Sequence, residues 1–155
     1  MRKLFLFFIF SFAVILTAGA QGLNGTRNAI GIRAGWGVEA SYQRYVSSAN
    51  RIEATAGINR FGFDVAGTYQ WMFDINTNES GQFKWYAGAG LGMGSWSNKN
   101  FDKGFSIGIL GQAGIEYAFS SAPFLLSLDY RPGLYFAPKV HFDWTGFALG
   151  IRYMF

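Results

Sequence analysis

The chain has no cysteine, a single histidine and only three prolines in 155 residues. The absence of thiols excludes a disulfide scaffold, a thiolate metal site and a lipid-modified N-terminal cysteine. One imidazole is too few for a histidine-built metal centre, so no metal or other cofactor is expected. Charge is scarce, at 14% of residues. The formal charge of +4 falls to +2 without Arg2 and Lys3, too weak and too dispersed to hold nucleic acid. After the leader, no run reaches the roughly 18 uncharged apolar residues of a membrane helix. No stretch carries apolar residues at helical spacing either.

The first 22 residues read as a targeting segment. Arg2 and Lys3 form its positive region, and Leu4 to Leu16 its apolar region. Ala18-Gly19-Ala20 supplies the small residues of a cleavage site, so the mature chain is expected to begin at Gln21. The expected organisation is a signal peptide over 1–20, a short lead-in over 21–27 and one domain over 28–155.

What the domain has in quantity is aromatics, 19% of the chain, and glycine, 21 residues. From Ala29 to Phe155 every second residue tends to be apolar, the period of a strand with two unlike faces. Eight strands are predicted, over 28–37, 39–46, 51–60, 62–75, 82–96, 104–119, 124–135 and 144–155. Compact turns follow strands two, four and six at Ser47-Ser48-Ala49-Asn50, 76–81 and Ser120-Ser121-Ala122-Pro123. Longer connections, 97–103 and 136–143, follow strands five and seven. Strand eight ends the chain, so no accessory domain beyond it is expected.

Alternation alone suits a soluble barrel with its apolar face inward or a membrane barrel with that face outward. Volume decides between them. One face carries Ile30, Ile32, Trp36, Ile58, Phe63, Val65, Tyr69, Trp71, Phe73, Trp85, Leu91, Ile109, Leu128, Leu149, Ile151 and Tyr153, among others. The lumen of an eight-stranded barrel is only just wide enough to be filled by side chains, and this set would overfill it. The other face offers small and polar residues such as Gly31, Thr55, Thr68, Gln70, Gly88, Gly90, Gly92, Gly94, Gln112 and Ser127. Aromatics cluster at both strand ends, with Trp71, Phe73, Trp85, Tyr117 and Tyr153 near the turns and Trp36, Phe63, Phe105 and Phe147 near the loops. Two aromatic girdles around an aliphatic band mark a barrel with lipid outside. The fold class expected is all-β, an eight-stranded antiparallel up-and-down transmembrane β-barrel. Arg44 breaks the pattern: by parity it faces lipid, where it either snorkels to headgroups or is turned inward by a bulge.

The lumen charges are the candidate site: Arg33, Arg131 and Arg152 with Glu53, Asp64, Glu116 and Asp129. Strands one and eight must be neighbours in a closed barrel, as must seven and eight. Arg33, Arg152 and Asp129 or Arg131 could therefore meet. Such a set serves either as a paired structural plug or as a narrow ion or proton path. The stripe Gly88, Gly90, Gly92 and Gly94 lacks the strand-to-helix turn of a phosphate-binding loop and is read as space for long side chains from the far wall. His141, with Ser95 and Ser97 near the same rim, is the only hint of hydrolytic chemistry and reads equally as a solvated loop histidine. The segments 97–103 and 136–143 are candidate contact surfaces for a ligand; the second, apolar one could also fold over the mouth as a lid.

Strand count, girdles and the terminal Tyr153-Met154-Phe155 together resemble the small eight-stranded outer-membrane barrels of the OmpX and OmpA type. The resemblance covers 28–155. It implies export and insertion in a Gram-negative outer membrane, contact with its lipid and lipopolysaccharide, and a monomer. It also implies that the barrel-assembly machinery reads Tyr153 and Phe155. The function so implied is structural, in envelope integrity or surface interaction, without catalysis. A narrow channel and a lipid A-modifying hydrolase are the alternatives.

Overall fold

The computed structural model describes residues 27–59, 62–75, 81–98, 101–137 and 139–155, and the side chains of 96–98 and 101–103 are left aside. The signal segment, its cleavage residues Ala18, Ala20 and Gln21, and most of the lead-in lie outside the described residues. All regular structure among those described is strand. β1 (Asn28–Ala34), β2 (Gly37–Tyr45), β3 (Asn50–Asn59), β4 (Gly62–Ile75), β5 (Gly81–Asn98) and β6 (Phe101–Phe119) each form one stave. β7 (Phe124–Tyr130) and β8 (Gly133–Tyr135) together form the seventh, and β9 (His141–Asp143) and β10 (Phe147–Met154) the eighth. Neighbours pair antiparallel in chain order, and β1 pairs with β10, which closes the sheet. The result is an eight-stave up-and-down barrel.

The register sets the tilt. Leu134 pairs with Ile109, Ile109 with Leu91, Leu91 with Gly67 and Gly67 with Ala54. The path continues through Tyr42, Ile30 and Tyr153 and returns to the seventh stave at Phe124, ten residues from its start. Such a stagger goes with staves inclined about 35–45° to the axis.

The two faces separate as their volumes require. Ile32 is 52% exposed while its neighbour Arg33 is 3%. Val65, Tyr69, Trp71, Leu91, Ile109, Leu128, Leu149 and Ile151 all lie on the outside. Only hydrocarbon makes such a surface favourable, because in water it would forfeit about 25 cal/mol for each Å² of apolar area. Phe73 stacks on Trp85 at 4.1 Å and Phe124 meets Tyr153 edge-on at 5.8 Å, at the turn end. Tyr130 packs on Phe147 at 4.4 Å toward the loop end. Arg44 is exposed on the outer face, and the β2–β3 register runs unbroken past it to Tyr45 and Arg51, so no bulge turns it inward.

Several boundaries differ from those predicted. Much of the segment 97–103 is strand: β5 reaches Asn98 and β6 starts at Phe101, and the two strands pair as far as these residues. The segment 136–143 is shorter as a loop because β9 begins at His141. The first strand stops at Ala34, three residues early. The seventh stave keeps one register against β6 from Tyr130 through Gly133, yet Pro132 has no N–H for the ladder. Opposite it the eighth stave slips by one residue between Asp143 and Phe147, a bulge bridged by Arg131 N–H donating to Gly146 O at 3.0 Å.

The outward position of Leu91, 63% exposed near mid-height, generates a test. Leu91→Arg should cost about 2–4 kcal/mol of stability in phospholipid vesicles, measured by urea unfolding. No loss would contradict the placement of this face in hydrocarbon.

Candidate functional site

Inward parity brings polar side chains from every stave into a lumen too narrow for water to solvate them. They bind one another in three connected layers, with Gln43 Oε1 and Arg51 Nη2 buried without a hydrogen bond. In the layer nearest the loops, Arg33 Nε donates to Asp129 Oδ1 at 2.9 Å, and its Nη2 also donates to that oxygen. Arg33 Nη1 donates to Glu39 Oε1 at 3.1 Å. Arg131 Nη2 donates to both Glu39 oxygens, at 2.7 and 2.8 Å, and its Nη1 to Thr55 Oγ1 at 3.0 Å. Asp64 lies 4.0 Å from Arg131.

Glu53 is the centre of the middle layer. Its Oε1 accepts from Ser41 Oγ at 2.6 Å, Arg152 Nη2 at 2.7 Å and Gln43 Nε2 at 3.1 Å. Its Oε2 accepts from Gln70 Nε2 at 2.7 Å and Gln112 Nε2 at 3.2 Å. Arg152 is held further by Ser41 and Ser127, each at 2.7 Å. Gln112 Nε2 also donates to Asp129 Oδ1 at 3.3 Å, joining this layer to the one above.

Toward the turns, Arg51 Nη1 donates to Glu116 Oε2 at 2.7 Å and Arg51 Nε to Gln70 Oε1 at 2.8 Å. The Arg51 guanidinium lies over the rings of Tyr45, 5.5 Å away, and Tyr86, 5.1 Å away. Arg51, Gln70 and Tyr86 are wholly buried. The lumen is therefore packed through its middle and lower parts.

Above the plug, a cavity of about 400 Å³ opens at the loop end, lined by Arg33, Glu39, Asp64, Arg131, Tyr135 and His141 among others. His141 belongs to β9 and not to a solvated loop. Its ring stacks on Tyr135 at 5.3 Å, and its Nδ1 lies 3.1 Å from the Lys139 carbonyl oxygen. The side chain of Ser97 lies outside those described.

All seven predicted lumen charges lie on the inner side, and Arg33, Asp129 and Arg152 share one network, joined through Gln112 and Glu53. Arg33 finds Asp129, Arg131 finds Glu39, and Arg152 finds Glu53 one layer away. Asp64 sits at the mouth and Glu116 at the opposite end. Glu39, Arg51, Ser41, Gln43, Tyr45 and Tyr86 were not singled out. Parity was the available signal: Arg51 lies two residues from Glu53, and Glu39 two from Ser41. The glycine stripe serves closer neighbours than expected. A Cβ on Gly88 would stand 3.0 Å from Gln70 Cγ, and one on Gly92 2.9 Å from Leu110 Cδ1. The space is taken from adjacent staves, not from the far wall.

Removing the hub carboxylate would leave Arg152 buried and unpaired. Glu53→Ala should therefore cost about 3–5 kcal/mol, and the double change Glu53→Leu with Arg152→Met should recover most of it. Arg33→Leu should cost a few kcal/mol by leaving Asp129 without its cation, whereas Ile32→Leu should cost less than about 1.5 kcal/mol. Urea unfolding in vesicles checks both pairs, and equal losses at positions 32 and 33 would contradict the layered network.

No protein-family model matches the chain, and no curated protein does. Among solved structures it is similar to the crystal structure of Neisserial surface protein A, at 17% sequence identity and a TM-score of 0.49, over 84% of this chain and 94% of that one.

Proposed function

We propose that this chain is an integral barrel of a Gram-negative outer membrane, with a structural or surface-facing role and no catalysis. One observation carries the reading: the apolar side chains face outward while the lumen is filled by charges that bind one another. A side chain such as Glu53, committed to five bonds, stiffens the wall, and so packed a lumen favours a structural role over solute flow. Asn28 and Phe155 sit together at the turn end, bonded N to O at 3.1 and 2.9 Å. In this reading that end faces the periplasm and the open cavity faces outward. Export with removal of residues 1–20, recognition of Tyr153 and Phe155 during assembly, a monomeric state, and contact with lipid and lipopolysaccharide belong to the same proposal.

The packed lumen weighs against the narrow-channel alternative, and the position of His141 in β9, stacked on Tyr135, weighs against a loop-borne catalytic histidine. Protein folded into a planar bilayer should give no unitary current under an applied voltage. Reproducible single-channel steps that vanish without protein would overturn the proposal. Lipid A extracted from cells with and without the gene should have the same mass spectrum.

A further inference from the structure

We propose that Arg44 and Asn28 form a binding site for the phosphate of a phospholipid headgroup, on the lipid-facing side of the barrel at the turn end. The proposal rests on the membrane-spanning reading and adds to it a particular pair of donors. Arg44 lies four residues before the Ser48 turn position, on the outer face of β2. Two of its neighbours there are apolar: Val46 and Ile52 are exposed on the same face. Among the described residues, Arg44 makes no hydrogen bond or ion pair. A guanidinium in that position needs an anion at the edge of the hydrocarbon, and the lipid phosphates supply one.

Asn28 is placed beside it. The two residues are paired across β1 and β2. Asn28 directs its backbone N–H and C=O to Phe155, at 3.1 and 2.9 Å, so its pairing with Arg44 is of the narrow, non-hydrogen-bonded kind. In that kind of pair the Cα atoms come within about 4.5 Å and the side chains are close together. Tyr42 O–H donates to Asn28 Oδ1 at 3.0 Å. With its oxygen so engaged, the Asn28 amide presents its N–H₂ group as the remaining donor. Arg44 thus offers a planar fork of N–H groups and Asn28 two more on one patch of surface; the terminal carboxylate of Phe155 beside it already accepts the Asn28 backbone N–H, at 3.1 Å. A tetrahedral phosphodiester with two unesterified oxygens fits that set, since guanidinium binds phosphate in a bidentate manner.

The test uses the full mature chain, labelled with ¹³C at arginine Cζ and folded into phosphatidylcholine vesicles. Folding is checked by heat-modifiable gel migration, which reports failure of the membrane reading separately. Dephasing of arginine Cζ by lipid ³¹P in solid-state NMR should show a component that Arg44→Gln removes. Asn28→Ala and Tyr42→Phe should each cut that component by about half or more while the barrel still folds. Dephasing unchanged in Arg44→Gln would overturn the site. Loss in Arg44→Gln with no change in Asn28→Ala and Tyr42→Phe would also overturn it, leaving a lone snorkelling arginine. In vesicles of a phosphate-free galactolipid with added inorganic phosphate, the component should be absent, and its appearance there would overturn the lipid as its source.

Discussion

One buried carboxylate holds the barrel's cross-section together. Glu53 projects from β3 and takes hydrogen bonds from β2, β4, β6 and β10, so that opposite walls of the cylinder share a single acceptor. Such a group is not a simple gain. Burying a carboxylate and a guanidinium removes strong hydration, and their attraction offsets this only when every lone pair and proton is occupied. Glu53 meets that condition with five donors, and Arg152 reinforces it through Ser41 and Ser127. Gln70 and Gln112 extend the arrangement, because an amide both donates and accepts and so links one charged layer to the next.

The outer wall answers to a different solvent. Its side chains need no mutual packing of the kind found in a water-soluble core, since lipid covers them. This is why the buried apolar set is small (Ala29, Ala66, Met72, Leu110, Leu125 and Ala148, with Tyr86) while large aliphatics lie outside. The two faces are coupled through register. A one-residue slip of any stave would carry its charges into hydrocarbon and its aliphatics into the lumen. The bulge near Gly146 lies at the loop end, beside the open cavity, where that penalty is smallest.

Facing was legible in the sequence and partnership only in part. Parity placed Arg33, Glu53, Asp129 and Arg152 inside, because a period of two survives along each stave. Which charges meet depends on the ten-residue stagger, and nothing in a single strand encodes that. Adjacency of staves one, seven and eight places Arg33, Arg152 and Asp129 or Arg131 in one network, which Gln112 and Glu53 complete; tilt sets Arg152 one layer away, against Glu53. The segment 97–103 was misread for a local reason. Asn98, Asp102 and Lys103 break the apolar–polar alternation in the sequence, while the pairing of β5 with β6 continues to Asn98 and Phe101. His141 was misplaced because Pro138 reads as a break in the alternation, although β9 pairs with β8 beyond it.

The partition of faces can be read stave by stave, because a chain with no native cysteine accepts single labels without interference. Spin labels placed one at a time along β4 in vesicles, with relaxation by oxygen compared with a polar nickel chelate, measure depth in lipid directly. Oxygen access should peak at 63, 65, 67, 69 and 71 and fall at 64, 66, 68 and 70. The opposite phase, or no alternation, would contradict a barrel with its aliphatic residues in hydrocarbon and its charges at the centre.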